Sequence, residues 1–371
     1  WSIPYHFGVG NAYRSPKKIA ADNPDIPDSQ HGDGQICNNG LKLLDRLAKG
    51  DKPFFLNYCP YYVHGPIQTR DRKRFEHYLE KMGHEFPSDA GPIYHELDGQ
   101  MNPYYASMVD MVDWMIGDVI TYLEETDDPR NPGHKLIDNT YLVVDSDNGG
   151  VIPYTDNAPL RGGKQNTWEG GVRIPFMVRG PGVPPGTVCK TPINLIDLFP
   201  TFMAMAGMEH DESLKLDGCN ILPLMTAHSD KALFPEGSER ESIFWFFPWD
   251  AHMSAAMRKG EWKLVNHYGT PRGQNAKPVQ LFRLYDQDGS TSDLSEAKNV
   301  AEQHPEICNA MLAELNDFIS SSGVPVPHKN LAASSVPAEH RAASPAIQER
   351  GSDKDRVWAT FETGKGEADI V

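Results

Sequence analysis

The sequence predicts an α/β protein with a mostly parallel central sheet flanked by helices and a smaller C-terminal antiparallel α+β domain. Over the first 230 residues, segments with helical periodicity alternate with short apolar runs, so that helix, loop and strand follow one another repeatedly. This order is typical of parallel sheets whose connections have the usual hand. Beyond about residue 231, short apolar segments lie close together in sequence, which favours antiparallel pairing.

The elements of the first part are predicted from periodicity and composition. Apolar residues recur at helical spacing over residues 36–47 and over 102–125, where a stripe of methionines indicates core packing. Residues 1–34 and 65–100 have loop character. Strands are expected at residues 53–58, 139–145 and 174–178, and a helix at 197–206 with Asp197 as its N-cap.

The second part is predicted to be a small sheet followed by one helix. We expect strands at residues 242–247, 255–257, 261–265 and 281–285 and a helix over 307–319. The expected organisation is a partial α/β domain at 1–230 that lacks its N-terminal part, the antiparallel subdomain at 231–322, a linker at 323–355 and the start of a truncated further segment at 356–371.

Composition and charge exclude several classes of partner. The 371-residue chain has a formal net charge of −16, whereas nucleic acids and anionic membranes require a basic face, so we expect neither as a partner. A small anionic substrate remains compatible, because a few cations in a pocket can hold one anion. No run of 18 apolar residues predicts a membrane-spanning helix. The five cysteines form no C-x-x-C pair, which leaves the redox compartment open.

The segment 145–150 directly follows a predicted buried strand. It reads Asp-Ser-Asp-Asn-Gly-Gly, so that Asp147 and Asn148 offer two oxygen donors side by side. Ligands of open α/β sheets bind beyond the carboxyl ends of strands, and Ca²⁺ and Mg²⁺ prefer such oxygen donors. The same residues are also good turn formers, so a plain turn is the alternative.

Two further segments supply a cation and an imidazole. Lys164 follows two glycines in a loop that continues to 168–175, and a lysine beside closely approaching backbone suits an oxyanion. His64 lies just beyond the predicted strand 53–58, where it could donate to an oxyanion or protonate a leaving group. Taken alone, each residue is compatible with a surface or structural role. Together, a carboxylate, a cation and an imidazole behind three strands indicate hydrolysis of an anionic ester.

These stretches resemble the formylglycine-dependent (type I) sulfatases of the alkaline phosphatase superfamily. The resemblance covers residues 35–320 in family order, and its most specific parts are the segments 145–150 and 160–175. It implies an alkaline-phosphatase-like α/β sandwich and hydrolysis of a sulfate monoester through a hydrated formylglycine. It also implies one Ca²⁺, with Mg²⁺ as the other option, held partly by Asp147 and Asn148. Lys164 would contact the sulfate and the leaving oxygen, and His64 would lie beside the sulfate.

The departures from the family pattern concern the nucleophile. The family forms formylglycine from Cys or Ser in a [CS]-x-P-x-R motif, which none of the five cysteines matches, and Ser335 is followed by Glu339 where the arginine belongs. The early Asp pair of the metal site is not seen either. N-terminal truncation is the expected explanation, and the chain alone is expected to be inactive.

Two rival functions remain open from the sequence. One is a phosphodiesterase or phosphonate monoester hydrolase of the same superfamily, and the other is a catalytically inactive glycan-binding pseudoenzyme. The expected substrate is a sulfated carbohydrate or an aryl sulfate, selected by loops at 65–103 and 246–253. Aromatic residues at 244–249 are candidates for a wall against a ring, with core packing expected for at least half of them. The resemblance implies a periplasmic or extracellular location.

Overall fold

The structure is a computed structural model that describes residues 32–65, 67, 71–83, 100–152, 154–208, 213–248, 253–268 and 277–324, the side chains of 32–35 excepted. All described residues belong to one compact unit. The predicted segment 356–371 and nearly all of the predicted linker lie outside them, and the domain boundaries stay predictions. No described helix is both long and apolar enough to cross a bilayer.

The described residues include thirteen α-helices and β-strands. In chain order they are α1 (Gly32–Ala48), α2 (Arg72–Met82), α3 (Pro103–Glu125), β1 (Leu142–Asp145), α4 (Glu169–Val172), β2 (Phe176–Arg179), α5 (Leu198–Met205), α6 (Leu222–Met225), β3 (Ser242–Phe247), β4 (Ser254–Lys259), β5 (Trp262–His267), β6 (Val279–Arg283) and α7 (Pro305–Ser321).

The long helix α3 is the main core element of the first part. It begins where the side chain of Asn102 accepts a hydrogen bond from the amide of Tyr105, and its methionine stripe is buried against α1 and α2. The prediction of core packing for these methionines is confirmed. Helix α2 was predicted as loop, and that prediction is wrong. Asp71 caps its first turn and Gly83, at φ 73°, ends it in the left-handed conformation.

The α/β class with an antiparallel C-terminal sheet is confirmed, but the parallel pairing expected for its first strands is wrong. Strand β1 pairs with β2 in antiparallel register, with Asp145 opposite Phe176. A parallel pair needs a crossover connection of a dozen residues or more, usually a helix. Among its described residues, the connection here contains only the four-residue α4 and otherwise forms loops. Residues 53–58, which were predicted to form a strand, belong to no strand of the structure.

The C-terminal sheet is a four-stranded antiparallel meander in the order β3-β4-β5-β6, as predicted. One face packs against α7 through Met257, Leu264, Leu281 and Leu315. Phe244 stacks on Phe318 of α7, with ring centroids 4.2 Å apart. Phe244, Trp245 and Phe246 are half-buried and pack on core clusters, as expected for at least half of the aromatic candidates, and Trp249 lies outside the described residues.

The buried carboxylate of Asp197 links α5 to the segment before β3. Asp197 occupies the N-cap position of α5, as predicted, but its side chain makes no capping hydrogen bond to the helix. Its two oxygens instead accept hydrogen bonds from the Arg240 guanidinium at 2.5 and 2.8 Å. They also accept from the backbone amides of Cys219 and Asn194. The strong donor geometry of Arg240 outcompetes the helix amides for this carboxylate.

We expect Arg240→Met to destabilise the protein by about 3–5 kcal/mol, because it leaves the Asp197 charge buried without its partner. Urea unfolding, monitored by circular dichroism, measures this change in the free energy of unfolding. Lys231→Met, which removes an exposed ion pair with Glu239, is the matched control and should leave the midpoint unchanged. An equal, small effect in both variants would contradict the account of Asp197.

Candidate functional site

The segment after β1 forms a tight turn that presents its polar side chains to solvent. The hydroxyl of Ser146 donates to the carbonyl oxygen of Asn148 at 3.0 Å, which closes the turn. Asp147 is exposed and Asn148 half-buried. The amide of Gly149 donates to the carbonyl oxygen of Gly171 at 3.0 Å. The turn is therefore anchored by backbone, and its carboxylate and amide side chains remain available.

Glycines allow this turn to interlock with the loop that carries Lys164. A Cβ atom at Gly149 would overlap the carbonyl oxygen of Gly170, and a Cβ at Gly163 would overlap that of Gly150. A Cβ at Gly170 would in turn overlap the carbonyl of Gly162. The two segments thus touch backbone to backbone, which no residue with a side chain permits here.

Lys164 lies directly beside the turn. Its amide donates to the carbonyl oxygen of Gly150 at 3.0 Å, and Asn157 bridges the carbonyl oxygens of Gly150 and Gly162 at 3.0 Å each. The half-buried Lys164 ammonium makes no hydrogen bond or ion pair with any residue that the structure describes. The structure therefore brings three of the four predicted site residues into adjacent loops, with the lysine charge uncommitted.

The segment that carries His64 is linked to the Lys164 loops through a shared apolar cluster. His64 is exposed, and its Nδ1 lies 2.8 Å from the carbonyl oxygen of Gly65. Because a carbonyl only accepts, Nδ1 carries the proton in this contact and Nε2 is left for a ligand. The preceding Val63 packs on the same apolar cluster as Tyr154, which lies in the loop between Gly150 and Asn157. Packing thus connects the His64 segment with the Lys164 loops.

The charge at the end of β1 suits a cation. Partial burial and the negative charge of Asp147 raise the pKa of Asp145, so the two carboxylates repel each other. Neither forms an ion pair with a described residue. Among the described residues, no three His, Cys, Asp or Glu side chains form a cluster ready for a metal. Asp147 and Asn148 therefore fit as part of a hard-cation site, which needs more oxygen ligands than this turn supplies.

A buried charge cluster lies behind the Lys164 loop, and the sequence did not reveal it as a unit. The Lys263 ammonium of β5 lies 2.8 Å from a Glu169 oxygen and 3.0 Å from a Glu296 oxygen. Burial tends to raise the pKa of Glu169, but Lys263 and Arg173 outweigh it and lower the pKa. Burial raises the pKa of Glu296, which Lys263 offsets only in part. The only sequence signal at Glu169 and Lys263 is that their segments match the family.

A family model described as Sulfatase matches residues 6–208, which is more than half of the chain. The chain belongs to the sulfatase family. The loops that carry Asp147, Asn148 and Lys164 lie inside the matched range. The C-terminal sheet that supplies Lys263 lies beyond it.

Sulfatases of several organisms are similar to this chain. It is 29% identical over 273 residues to a sulfatase of Formosa agariphila, and the alignment covers 71% of this chain and 44% of that protein. It is 31% identical over 198 residues to the steryl-sulfatase of Rattus norvegicus, covering 48% and 32%. The solved structure of Ps i-CgsB in complex with k-i-k-neocarrahexaose has a TM-score of 0.58 and 28% identity, covering 77% of this chain and 54% of that one. The chain spans about half the length of these relatives or less.

Gly149→Ala is expected to force the two interlocked loops apart, because the new Cβ meets the backbone of Gly170 rather than a movable side chain. The thermal midpoint should fall by several degrees. Gly117→Ala is the matched control. Gly117 lies in α3, where a Cβ would meet no neighbouring atom, so alanine there should stabilise by about 0.5–1 kcal/mol. Differential scanning calorimetry compares both, and a Gly149→Ala midpoint at or above that of the parent chain would refute the interlock.

Proposed function

We propose that this chain carries the metal- and sulfate-binding part of a sulfuric ester hydrolase. The observation that carries the proposal is the interlock of the 146–150 and 161–171 loops in a member of the sulfatase family. It brings the backbone of the segment that carries two oxygen donors against the backbone of the loop that carries Lys164, whose ammonium has no other described partner. The oxygen donors of such a pair suit a cation, and the ammonium suits an oxyanion.

The proposed metal is one Ca²⁺, with Mg²⁺ as the other option. Asp147 and Asn148 would hold it, because carboxylate and amide oxygens are its preferred ligands and the charge at Asp145 and Asp147 is otherwise uncompensated. When bound, the ion supplies positive charge against the sulfate oxygens. The formylglycine that the family uses as nucleophile would come from a [CS]-x-P-x-R motif, which does not occur in these 371 residues. We therefore assign these 371 residues the binding, charge-stabilising and acid–base roles.

Lys164 and His64 are the proposed catalytic residues of this chain. The Lys164 ammonium would neutralise charge on the transferring sulfuryl group and on the leaving oxygen. His64 would use Nε2, since its Nδ1 is held by the Gly65 carbonyl. A protonated Nε2 donates to the leaving oxygen and a neutral one accepts a proton, so His64 can serve a general acid–base step.

The proposed substrate is a sulfated carbohydrate. Ps i-CgsB, which shares this fold over 77% of the chain, has been solved with a neocarrahexaose. The name of the rat relative indicates a steryl sulfate instead, so a sterol ester is the contrasting substrate to test. We further propose a periplasmic or extracellular location, which rests on family membership alone. Cell fractionation of the native host, followed by immunoblotting, tests it.

The test is hydrolysis of an aryl sulfate by the protein expressed from the start codon of its gene, together with a formylglycine-generating enzyme. We expect Lys164→Ala to lower kcat/KM by about 100- to 1,000-fold, because it removes the charge opposite the developing oxyanion. Lys42→Ala, an exposed lysine on α1, is the control and should keep full activity.

The same assay separates the rival functions. Preference for an aryl phosphate diester or phosphonate over the sulfate would favour the phosphodiesterase alternative. Binding of a sulfated oligosaccharide with no hydrolysis of any ester would favour the inactive glycan-binding alternative. Comparison of a sulfated oligosaccharide with a steryl sulfate then decides the substrate class.

A further inference from the structure

Three buried charged side chains meet beneath the Lys164 loop. Glu169 belongs to α4, Lys263 to β5, and Glu296 to the segment after β6. The side chains of Lys263 and Glu296 are fully buried and that of Glu169 is 4% exposed. Arg173 adds a second cation on the other oxygen of Glu169 at 2.8 Å. In this cluster two buried carboxylates therefore face two cations.

Glu296 holds both ends of the loop that carries Lys164. Its side chain accepts the backbone amide of Glu169 at 2.7 Å, at the C-terminal end of the loop. Its carbonyl oxygen accepts from the guanidinium of Arg161 at 3.0 Å, at the N-terminal end. The Arg161 guanidinium also covers the ring of Trp168 at 3.8 Å. Glu296 has a positive φ of 50°, a conformation that only strong surrounding contacts hold for a residue other than glycine.

Two residues connect the charge cluster to the site. Gly170 and Gly171 directly follow Glu169. The amide of Gly170 donates to the carbonyl of Arg161 at 2.8 Å, and the carbonyl of Gly171 accepts from Gly149 at 3.0 Å. Any shift of Glu169 is therefore passed to the loop of Lys164 and to the turn of Asn148.

Stability alone does not account for charges at this position. Removing ions from water costs several kcal/mol each, and well-packed apolar residues often replace buried ion pairs without loss of stability. What apolar side chains cannot supply is direction. A multiply bonded carboxylate fixes its backbone far more tightly than non-directional packing does.

We infer that the cluster of Glu169, Lys263 and Glu296 is a positioning device of the site, through which the C-terminal sheet holds Lys164 and Asn148 in register. The role in catalysis rests on the proposed function, whereas the effect on loop order does not. Glu169, Lys263 and Glu296 are positioning residues, since their side chains are buried and bonded to one another rather than open to a substrate.

Hydrogen exchange measured by mass spectrometry tests the effect on loop order in the 371-residue chain. Lys263→Met leaves Glu296 without this cation and Glu169 with Arg173 alone, and Glu169→Gln removes one charge at constant shape. In both variants we expect the amides of Gly149, Lys164 and Gly170 to exchange at least tenfold faster, because local opening of the loops becomes easier. If Lys263→Met does not fold, Glu169→Gln alone decides the outcome.

Arg240→Met is the matched control, because it breaks a buried ion pair of the same kind that contacts neither loop. It should leave exchange in peptides covering 145–152 and 160–172 unchanged under native conditions. Equal exchange in these peptides for Glu169→Gln and the parent chain would overturn the inference. So would an equal increase in Arg240→Met, since the effect would then be global.

Kinetics of the active protein supply a second reading that a purely structural role would not move. Glu169→Gln should lower kcat about 10- to 100-fold at a temperature where the variant is fully folded, because a displaced lysine no longer meets the transition state. Faster loop exchange with no sulfatase activity in the parent protein would refute the proposed function and leave the effect on loop order standing. Unchanged exchange together with sulfatase activity in the parent protein would refute the effect on loop order and leave the proposed function standing.

Discussion

The contact between two stretches of backbone, at Gly149 with Gly170 and at Gly163 with Gly150, sets the rest of the site. Asp147 and Asn148 belong to one segment and Lys164 to the other, so this contact brings the backbone of the proposed cation ligands against the backbone of the lysine loop. The glycines contribute no chemistry of their own, but they allow the two segments to touch.

This arrangement leaves the loops without a regular element of their own. The described part of the connection from β1 to β2 contains only the four-residue α4, so its order depends on contacts with other parts of the chain. Those contacts come from the C-terminal sheet, through Lys263 and through the buried hydrogen bond between Thr167 and Ser254 at 2.9 Å. The sheet therefore does more than complete the fold. The loops pack on its central strands β4 and β5.

Much of this was accessible from the sequence, and the failures have physical causes. Periodicity located α1, α3, α5, α7 and the C-terminal strands, because each buries one regular face. It missed α2, whose short apolar face is surrounded by basic residues, and it misjudged the direction of β2, because strand direction depends on the path of the intervening loop. The segments that carry Asp147, Asn148 and Lys164 touch through their backbones, as glycine-rich loops after strands allow, and the roles of these residues stay predictions. The Glu169–Lys263 pair was out of reach, because partners 94 residues apart leave no local pattern.

A structure of the protein from crystals grown with Ca²⁺ and soaked with sulfate tests the central claim most directly. We expect one calcium peak in anomalous maps, bound by oxygens of Asp147 and Asn148, and a sulfate that accepts a hydrogen bond from Lys164 Nζ while it contacts the ion. A calcium ion bound elsewhere, or a Lys164 side chain that points away from these two residues, would contradict the claim that the interlocked loops build one site for a cation and an oxyanion.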